Sequence, residues 1–139
     1  MEYKRYGEKI AVRLDKGDEI VSKIAEVCEK ENVKAGYFSG IGATDDFTVG
    51  VFDIAKKEYE KYSYKGNHEI NVLTGNVSFV GGKTYIHAHI TCTGENGVVG
   101  GHLFSGAVSL TGEIFIEALN GEITREKNEE LGINTLVFA

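Results

Sequence analysis

A chain of 139 residues with a net charge of −6 and no proline has the length of one domain and can bury a core of its own. Its hydrophobic and charged fractions, 42% and 26%, are those of an ordinary globular protein, and its apolar runs are far shorter than the roughly 20 residues of a membrane helix. The N-terminal sequence MEYKRYGEK lacks the apolar stretch of a signal peptide. We therefore expect a single cytoplasmic domain over residues 1–139 with no membrane partner.

The distribution of charge does not favour nucleic acid as a partner. Lysine and arginine are scattered along the chain, and the nearest approach to clusters is the pairs Lys4-Arg5 and Lys56-Lys57. Proteins that bind DNA through phosphate contacts normally carry a basic stripe or patch. Charge alone therefore gives no support to DNA binding.

The first predicted elements are a strand and a helix. Apolar and polar residues alternate over residues 9–14, which is the period of a half-buried strand. The next apolar positions follow the spacing of one helical face, at Ile20, Ile24, Val27 and Cys28. We predict a helix over about residues 18–31, with Asp18 as its N-cap.

The remainder of the chain is predicted to be rich in β-structure. Besides a hairpin that carries three histidines, strands are predicted over residues 35–41, 47–51, 59–64, 69–80, 107–119 and 136–138, and residues 122–130 form a charged tail. Gly81-Gly82 is typical of a tight hairpin turn that needs positive φ. One strong helix among hairpin-linked strands predicts an α+β fold, in which a curled antiparallel β-sheet of about seven strands packs with one main α-helix.

The histidine hairpin carries the candidate chemistry. His87 and His89 stand two apart in an alternating run, so both imidazoles project from one face of a strand, with Cβ atoms about 7 Å apart. A turn at residues 93–97 that pairs the flanking strands in register sets His102 opposite His89. A slip of one residue would instead place His102 on the other face of the sheet.

Three imidazoles on one face suit a zinc ion, and three protein ligands leave a fourth position open. We therefore predict a metal site formed by His87, His89 and His102, with zinc as the expected ion. The alternative is that they are half-exposed strand residues, hydrogen-bonded to neighbours. Glu69 and Glu113 are candidate general bases beside a metal-bound water, although glutamates at such positions are usually solvated. These carboxylates define an enzymatic alternative, a Zn-dependent enzyme that uses metal-bound water at the three-histidine site.

A cupin metal site also begins with His-x-His on a strand and continues with a glutamate. Here Glu95 follows His89 by six positions, which is one more than the cupin pattern allows. The second cupin motif normally carries a proline, and this chain has none. The cupin interpretation is therefore the weaker one.

Five short motifs occur in an order that resembles the plants-and-prokaryotes-conserved (PPC) domain. They are Gly-Ile-Gly-Ala at 40–43, Glu-Ile-x-x-Leu-Thr-Gly-Asn at 69–76, His-x-His at 87–89, Val-Val-Gly-Gly-His-Leu at 98–103 and Glu-Ile at 113–114. The resemblance extends over about residues 5–120. It implies an antiparallel sheet with one packed helix, assembly as a homotrimer, and a metal site at His87, His89 and His102.

The same resemblance bears on DNA. Plant members of the family carry AT-hook motifs that bind the minor groove of A/T-rich DNA, and a chain without proline cannot contain their Arg-Gly-Arg-Pro core. The sequence resembles the stand-alone prokaryotic form, whose description as predicted DNA-binding protein rests on family analogy. We expect a homotrimeric, metal-binding regulatory or ligand-binding module. A DNA-binding regulator is a further alternative.

Overall fold

The computed structural model describes residues 1–95 and 97–138. Within those residues it has one helix, α1 (Ile20–Lys30), and eight strands in a single sheet. The strands are β1 (Glu2–Tyr6), β2 (Lys9–Asp15), β3 (Gly36–Asp53), β4 (Glu58–Val80), β5 (Lys83–Gly94), β6 (Gly97–Ala118), β7 (Thr124–Asn128) and β8 (Ile133–Val137). The prediction of an α+β fold with a curled, almost entirely antiparallel sheet and one helix is confirmed.

Four long strands close the sheet on itself. Strand β3 pairs with β4, β4 with β5, β5 with the first part of β6, and β6 along its length with β3, all antiparallel. Strand β2 extends the sheet from the second part of β6, and β1 pairs with β2. The β7–β8 hairpin joins the sheet by one parallel bridge, between Phe79 and Thr124. Closure covers both edges of β5 over residues 89–94, whereas residues 83–88, which include His87, pair with β4 alone in the described part of the chain.

Helix α1 packs against the core through the predicted face. Its four apolar positions, Ile20, Ile24, Val27 and Cys28, are all buried. The predicted cap was wrong, because the N-cap is Glu19, whose carboxylate accepts hydrogen bonds from the backbone N–H groups of Val21 and Ser22. Asp18 instead pairs with the N-terminal amine at 3.1 Å. Among the residues that the structure describes, no helix combines the length and apolar character needed to cross a membrane.

The strands are longer than predicted because β-bulges replace several expected loops. Strand β3 runs through residues 42–46, between the strands predicted over 35–41 and 47–51, and its register with β4 shifts between Gly40 and Gly42 and between Thr44 and Asp46. Strand β4 likewise joins the strands predicted over 59–64 and 69–80. The charged tail predicted over residues 122–130 contains strand β7. The turn predicted at residues 93–97 includes Asn96, which lies outside the described residues.

Candidate metal centre

The register of the β5–β6 hairpin brings the three histidines together. Thr93 pairs with Val98, and His89 therefore pairs with His102. Of the two registers that the sequence left open, this is the one that places His102 on the same face as His89. His102 also pairs with Gly50 of β3, so it lies where three strands meet. Because paired residues share a face and His87 lies two positions from His89, all three imidazoles project from the outer face of the sheet.

The geometry of the cluster is close to that of a metal site. One potential ligand atom from each of His87, His89 and His102 lies within 4.8 Å of the other two, and the ring centroids are 5.0–5.5 Å apart. Nitrogen ligands of a tetrahedral zinc ion, at about 2.1 Å from the metal, are about 3.4 Å apart. The separations in the cluster therefore exceed that spacing by at most about 1.4 Å. Within the described part of the chain, no carboxylate or thiol joins this group.

The surroundings keep two of the rings neutral. Burial first, and then the charges of His87, His89 and Arg125, lower the pKa of His102 to about 4. The pKa of His87 is also lowered, first by burial, then by the charges of Arg125 and His89. Neutral imidazole is the form that binds a metal. Both rings are therefore in the correct protonation state at neutral pH.

One nitrogen of His102 gives the strongest indication that the cluster binds a further group. Its Nδ1 is buried and has no hydrogen-bond partner among residues 1–95 and 97–138. Buried polar atoms without a partner are rare, and each needs an explanation. A metal ion held by the cluster would fill that role, so the residues present fit a metal. The alternative in which the histidines only bond to their neighbours does not account for this atom.

A cleft of about 460 Å³ adjoins His87 and His102. Its walls include four aromatic side chains and residues of the β7–β8 hairpin, and the aromatic members are Phe52, Tyr59, Tyr85 and Phe104. Arg125 of β7 also lines it and donates a hydrogen bond from Nη2 to Nδ1 of His87 at 3.2 Å. The sequence reasoning missed Arg125, which lies 38 positions from His87 in a segment interpreted as a charged tail.

The family model of the Plants and Prokaryotes Conserved (PCC) domain matches residues 1–120. The chain belongs to this family, the PPC family. A comparison with curated proteins gave no match.

Solved structures of three PPC-like proteins resemble this chain over nearly its whole length. A candidate DNA-binding protein of Bacteroides thetaiotaomicron has 32% identity and a TM-score of 0.94, with 99% of this chain and 96% of that chain covered. A metal-containing protein of Archaeoglobus fulgidus has 35% identity and a TM-score of 0.90, with 99% and 97% covered. A PPC protein of Pyrococcus horikoshii has 30% identity and a TM-score of 0.85, with 99% and 94% covered.

The two carboxylates proposed as bases lie elsewhere on the PPC domain. Glu69 pairs with Thr93, near the far end of β5 from the histidines. It is five positions along β4 from the residue that pairs with His89, a separation of about 16 Å along a strand. Glu113 lies on β6 eleven positions beyond His102, a separation of up to about 36 Å along an extended strand. Neither carboxylate lines the cleft beside the histidines.

His68, the fourth histidine, is also apart from the cluster. It is buried, and its ring packs edge-on against Phe47 with centroids 5.1 Å apart. Its Nδ1 lies 2.7 Å from the carbonyl oxygen of Gly66. Its Nε2, like Nδ1 of His102, is buried without a hydrogen-bond partner among the described residues. His68 differs from His102 in that it does not belong to a group of three potential metal ligands in that part of the chain.

Proposed function

We propose that this protein is a non-enzymatic, homotrimeric metal-binding module that holds one zinc ion per chain and uses the site to bind a small ligand in a regulatory role. His87, His89 and His102 would hold the ion. The observation that carries this proposal is the buried, unpartnered Nδ1 of His102 within a cluster of three converging imidazoles. The similarity to a metal-containing protein of Archaeoglobus fulgidus supports it.

The positions of the side chains favour ligand binding. Zinc held by three imidazoles keeps one Lewis-acidic position for a further ligand. The cleft beside His87 and His102 gives a small molecule access to the cluster. The carboxylate that lines this cleft is Glu58, which is exposed. Glu69 and Glu113, on which the hydrolytic alternative depended, line other surfaces.

The trimer part of the proposal is supported by an apolar surface. Tyr37, Ile41 and Phe115 are 50%, 57% and 64% exposed, and they occupy nearby positions on the outer face of β3 and β6. Contiguous apolar patches on a protein surface commonly mark interaction sites. A second and third copy of the chain would cover this patch.

DNA binding is not part of this proposal. Some structural relatives are described as candidate DNA-binding proteins, but this chain has a net charge of −6. Binding through phosphates depends on a concentrated basic surface and weakens strongly with salt. Any interaction with duplex DNA should therefore be absent at physiological salt.

Elemental analysis of the purified, untagged protein tests the metal site. We expect about one zinc ion per chain in the wild type and none in the triple variant His87→Ala, His89→Ala, His102→Ala. Thr91→Ala is the matched control, because Thr91 follows on the same exposed face of β5, and it should keep its zinc. A wild-type protein that stays free of metal after zinc is added back and dialysed would refute the proposal.

A further inference from the structure

The guanidinium group of Arg125 is held in place beside the histidine cluster. It donates four hydrogen bonds: Nε to Ser78 Oγ at 2.9 Å, Nη1 to the carbonyl oxygen of Asn134 at 3.0 Å, and Nη2 to Asn76 Oδ1 at 2.9 Å and His87 Nδ1 at 3.2 Å. These acceptors come from β4, β5 and β8, so the group is oriented from several sides. Arg125 also lies beyond residues 1–120, the part matched by the family model.

The positive charge of Arg125 has no carboxylate partner. Within residues 1–95 and 97–138, no aspartate or glutamate lies within ion-pair distance of it, and the side chain is half-buried. Lys57 and Lys127 also line this cleft, and Glu58 is the one carboxylate in its lining among the described residues. Lys127 forms an ion pair with Glu129 at 3.0 Å. The cleft is therefore electropositive and suited to an anion.

Metal binding and the Arg125–His87 hydrogen bond exclude each other. A guanidinium group can only donate, so Nδ1 of His87 must accept, and the proton of the neutral ring is on Nε2. If a metal binds at Nδ1, it takes the lone pair that Arg125 uses. If a metal binds at Nε2, the ring proton moves to Nδ1 and faces a donor. In both cases the Nη2 group of Arg125 loses this acceptor.

The freed group matches the geometry of a carboxylate. Of the five N–H bonds of a guanidinium group, Arg125 uses four in the structure, and the remaining one is on Nη1. Release of His87 would free a second, on Nη2. One N–H on each terminal nitrogen is the arrangement that binds the two oxygens of a carboxylate.

The rest of the cleft is aromatic. Tyr59 packs against His102 and Phe104, with ring centroids 4.8 and 5.1 Å away. The ring of Tyr85 lies under the guanidinium carbon of Arg125 at 5.2 Å. Such walls favour a flat apolar body, which can stack on the rings.

We propose that Arg125 is the ligand-recognition residue of this site, and that the ligand is a small carboxylate with a flat, aromatic or unsaturated body. Its carboxylate pairs with Arg125 in the cleft beside the three histidines. The metal increases the affinity for this anion, because it releases Arg125 from His87. This inference rests on the proposed metal site, and it adds the chemical class of the ligand and the residue that selects it.

Calorimetric titration with zinc and then with benzoate tests the inference. We expect the wild type, Arg125→Met, Arg125→Lys and Lys83→Met to bind one zinc ion per chain, with the affinity of Arg125→Met equal to or above that of the wild type. Lys83→Met is the charge-matched control, because Lys83 is exposed and does not line the cleft. Benzoate affinity should fall at least tenfold in Arg125→Met, several-fold in Arg125→Lys and less than threefold in Lys83→Met. Metal-free wild type should bind benzoate at least tenfold more weakly than the zinc form, and inorganic phosphate should bind the zinc form more weakly than benzoate.

The possible failures are distinct. A wild type that takes up no zinc refutes the proposed function, and this inference with it. Zinc uptake with no benzoate binding, or with equal benzoate affinity in wild type and Arg125→Met, refutes the inference alone. Phosphate binding as tight as that of benzoate refutes the ligand class. If Arg125→Met does not fold, Arg125→Lys takes its place in the test. An Arg125→Lys protein that unfolds at the same temperature as the wild type and binds benzoate with unchanged affinity refutes the role of Arg125.

Discussion

At the scale of single residues, the environment of His102 is unusual for a titratable group. Its ring lies 4.8 Å from that of Tyr59 and 4.9 Å from that of Phe104, between centroids, and its Nδ1 has no partner in the described chain. Burial opposes the charged imidazolium, and this is why the pKa falls to about 4. The same environment that prepares the ring for a metal should make the metal-free protein sensitive to acid.

We predict that the free energy of unfolding of the metal-free protein decreases as the pH falls from about 6.5 to about 4. The folded pKa of His102, about 4, lies below the ordinary histidine pKa of 6.5, so the unfolded chain takes up a proton in this window that the folded chain does not. Stability is then full above pH 6.5 and is lost as the pH falls towards the folded pKa.

Urea unfolding in the presence of a chelator, at pH 7.5 and pH 5.0, measures this effect. The wild type should lose more free energy of unfolding between the two pH values than His102→Gln, which cannot titrate at this position. Equal losses in the two proteins would show that His102 does not carry the effect.

At the scale of elements, the close approach of β4 and β5 positions the histidines. Gly75 of β4 pairs with Ala88, the residue between His87 and His89. A Cβ atom at Gly75 would collide with the carbonyl oxygen of His87 and would lie 2.5 Å from Cζ of Phe38. The absence of a side chain therefore allows β4 to support the strand that carries two of the proposed ligands.

We predict that Gly75→Ala destabilises the protein by about 1–3 kcal/mol, the usual cost of overpacking a core. It should also weaken zinc binding, because the backbone of β5 must move. Gly106→Ala is the control, since its Cβ would be 3.2 Å from the flexible end of Ile20. Chemical denaturation and zinc titration of both variants check this. Equal stability of the two variants would contradict the account.

The β5–β6 hairpin and strand β3 differ in how far local sequence predicts them. The β5–β6 hairpin was predicted, because alternation over residues 85–92 and a polar turn are both local signals. Its register was left open between two alternatives, and the structure has the one that pairs His89 with His102. The continuity of β3 through residues 42–46 was not predicted, since glycine and aspartate there resemble a loop. Strand β3 pairs with β4 along one edge and with β6 along the other, both before and after its bulges. These pairings with distant residues outweigh the local preference of glycine and aspartate for a loop.

At the scale of the whole molecule, the exposed apolar patch at Tyr37, Ile41 and Phe115 calls for a partner. We predict that the protein has three times the mass of one chain in light scattering, and that Phe115→Asp reduces this mass by placing a charge in the interface. Ile54→Asp is the control, because Ile54 is 82% exposed in the β3–β4 turn. A wild type with the mass of one chain would contradict the trimer.

The candidate site combines residues that are close in the sequence with one residue, Arg125, that is distant from them. The histidines were identified because they lie in one hairpin, and their motif order resembles a known family. Arg125 contacts residues 38 to 49 positions away and comes from a hairpin whose composition is polar. The bridge between β4 and β7 helps to place it beside His87, and no local pattern indicates that bridge.

Cobalt(II) titration of the metal-free protein tests most directly whether the three imidazoles act as one site. We predict the strong visible absorption of four-coordinate cobalt, saturating at one ion per chain and lost in His87→Ala, His89→Ala and His102→Ala alike. Thr91→Ala should give the wild-type spectrum. A weak spectrum like that of cobalt in buffer, or an unchanged spectrum in His102→Ala, would contradict the three-histidine centre.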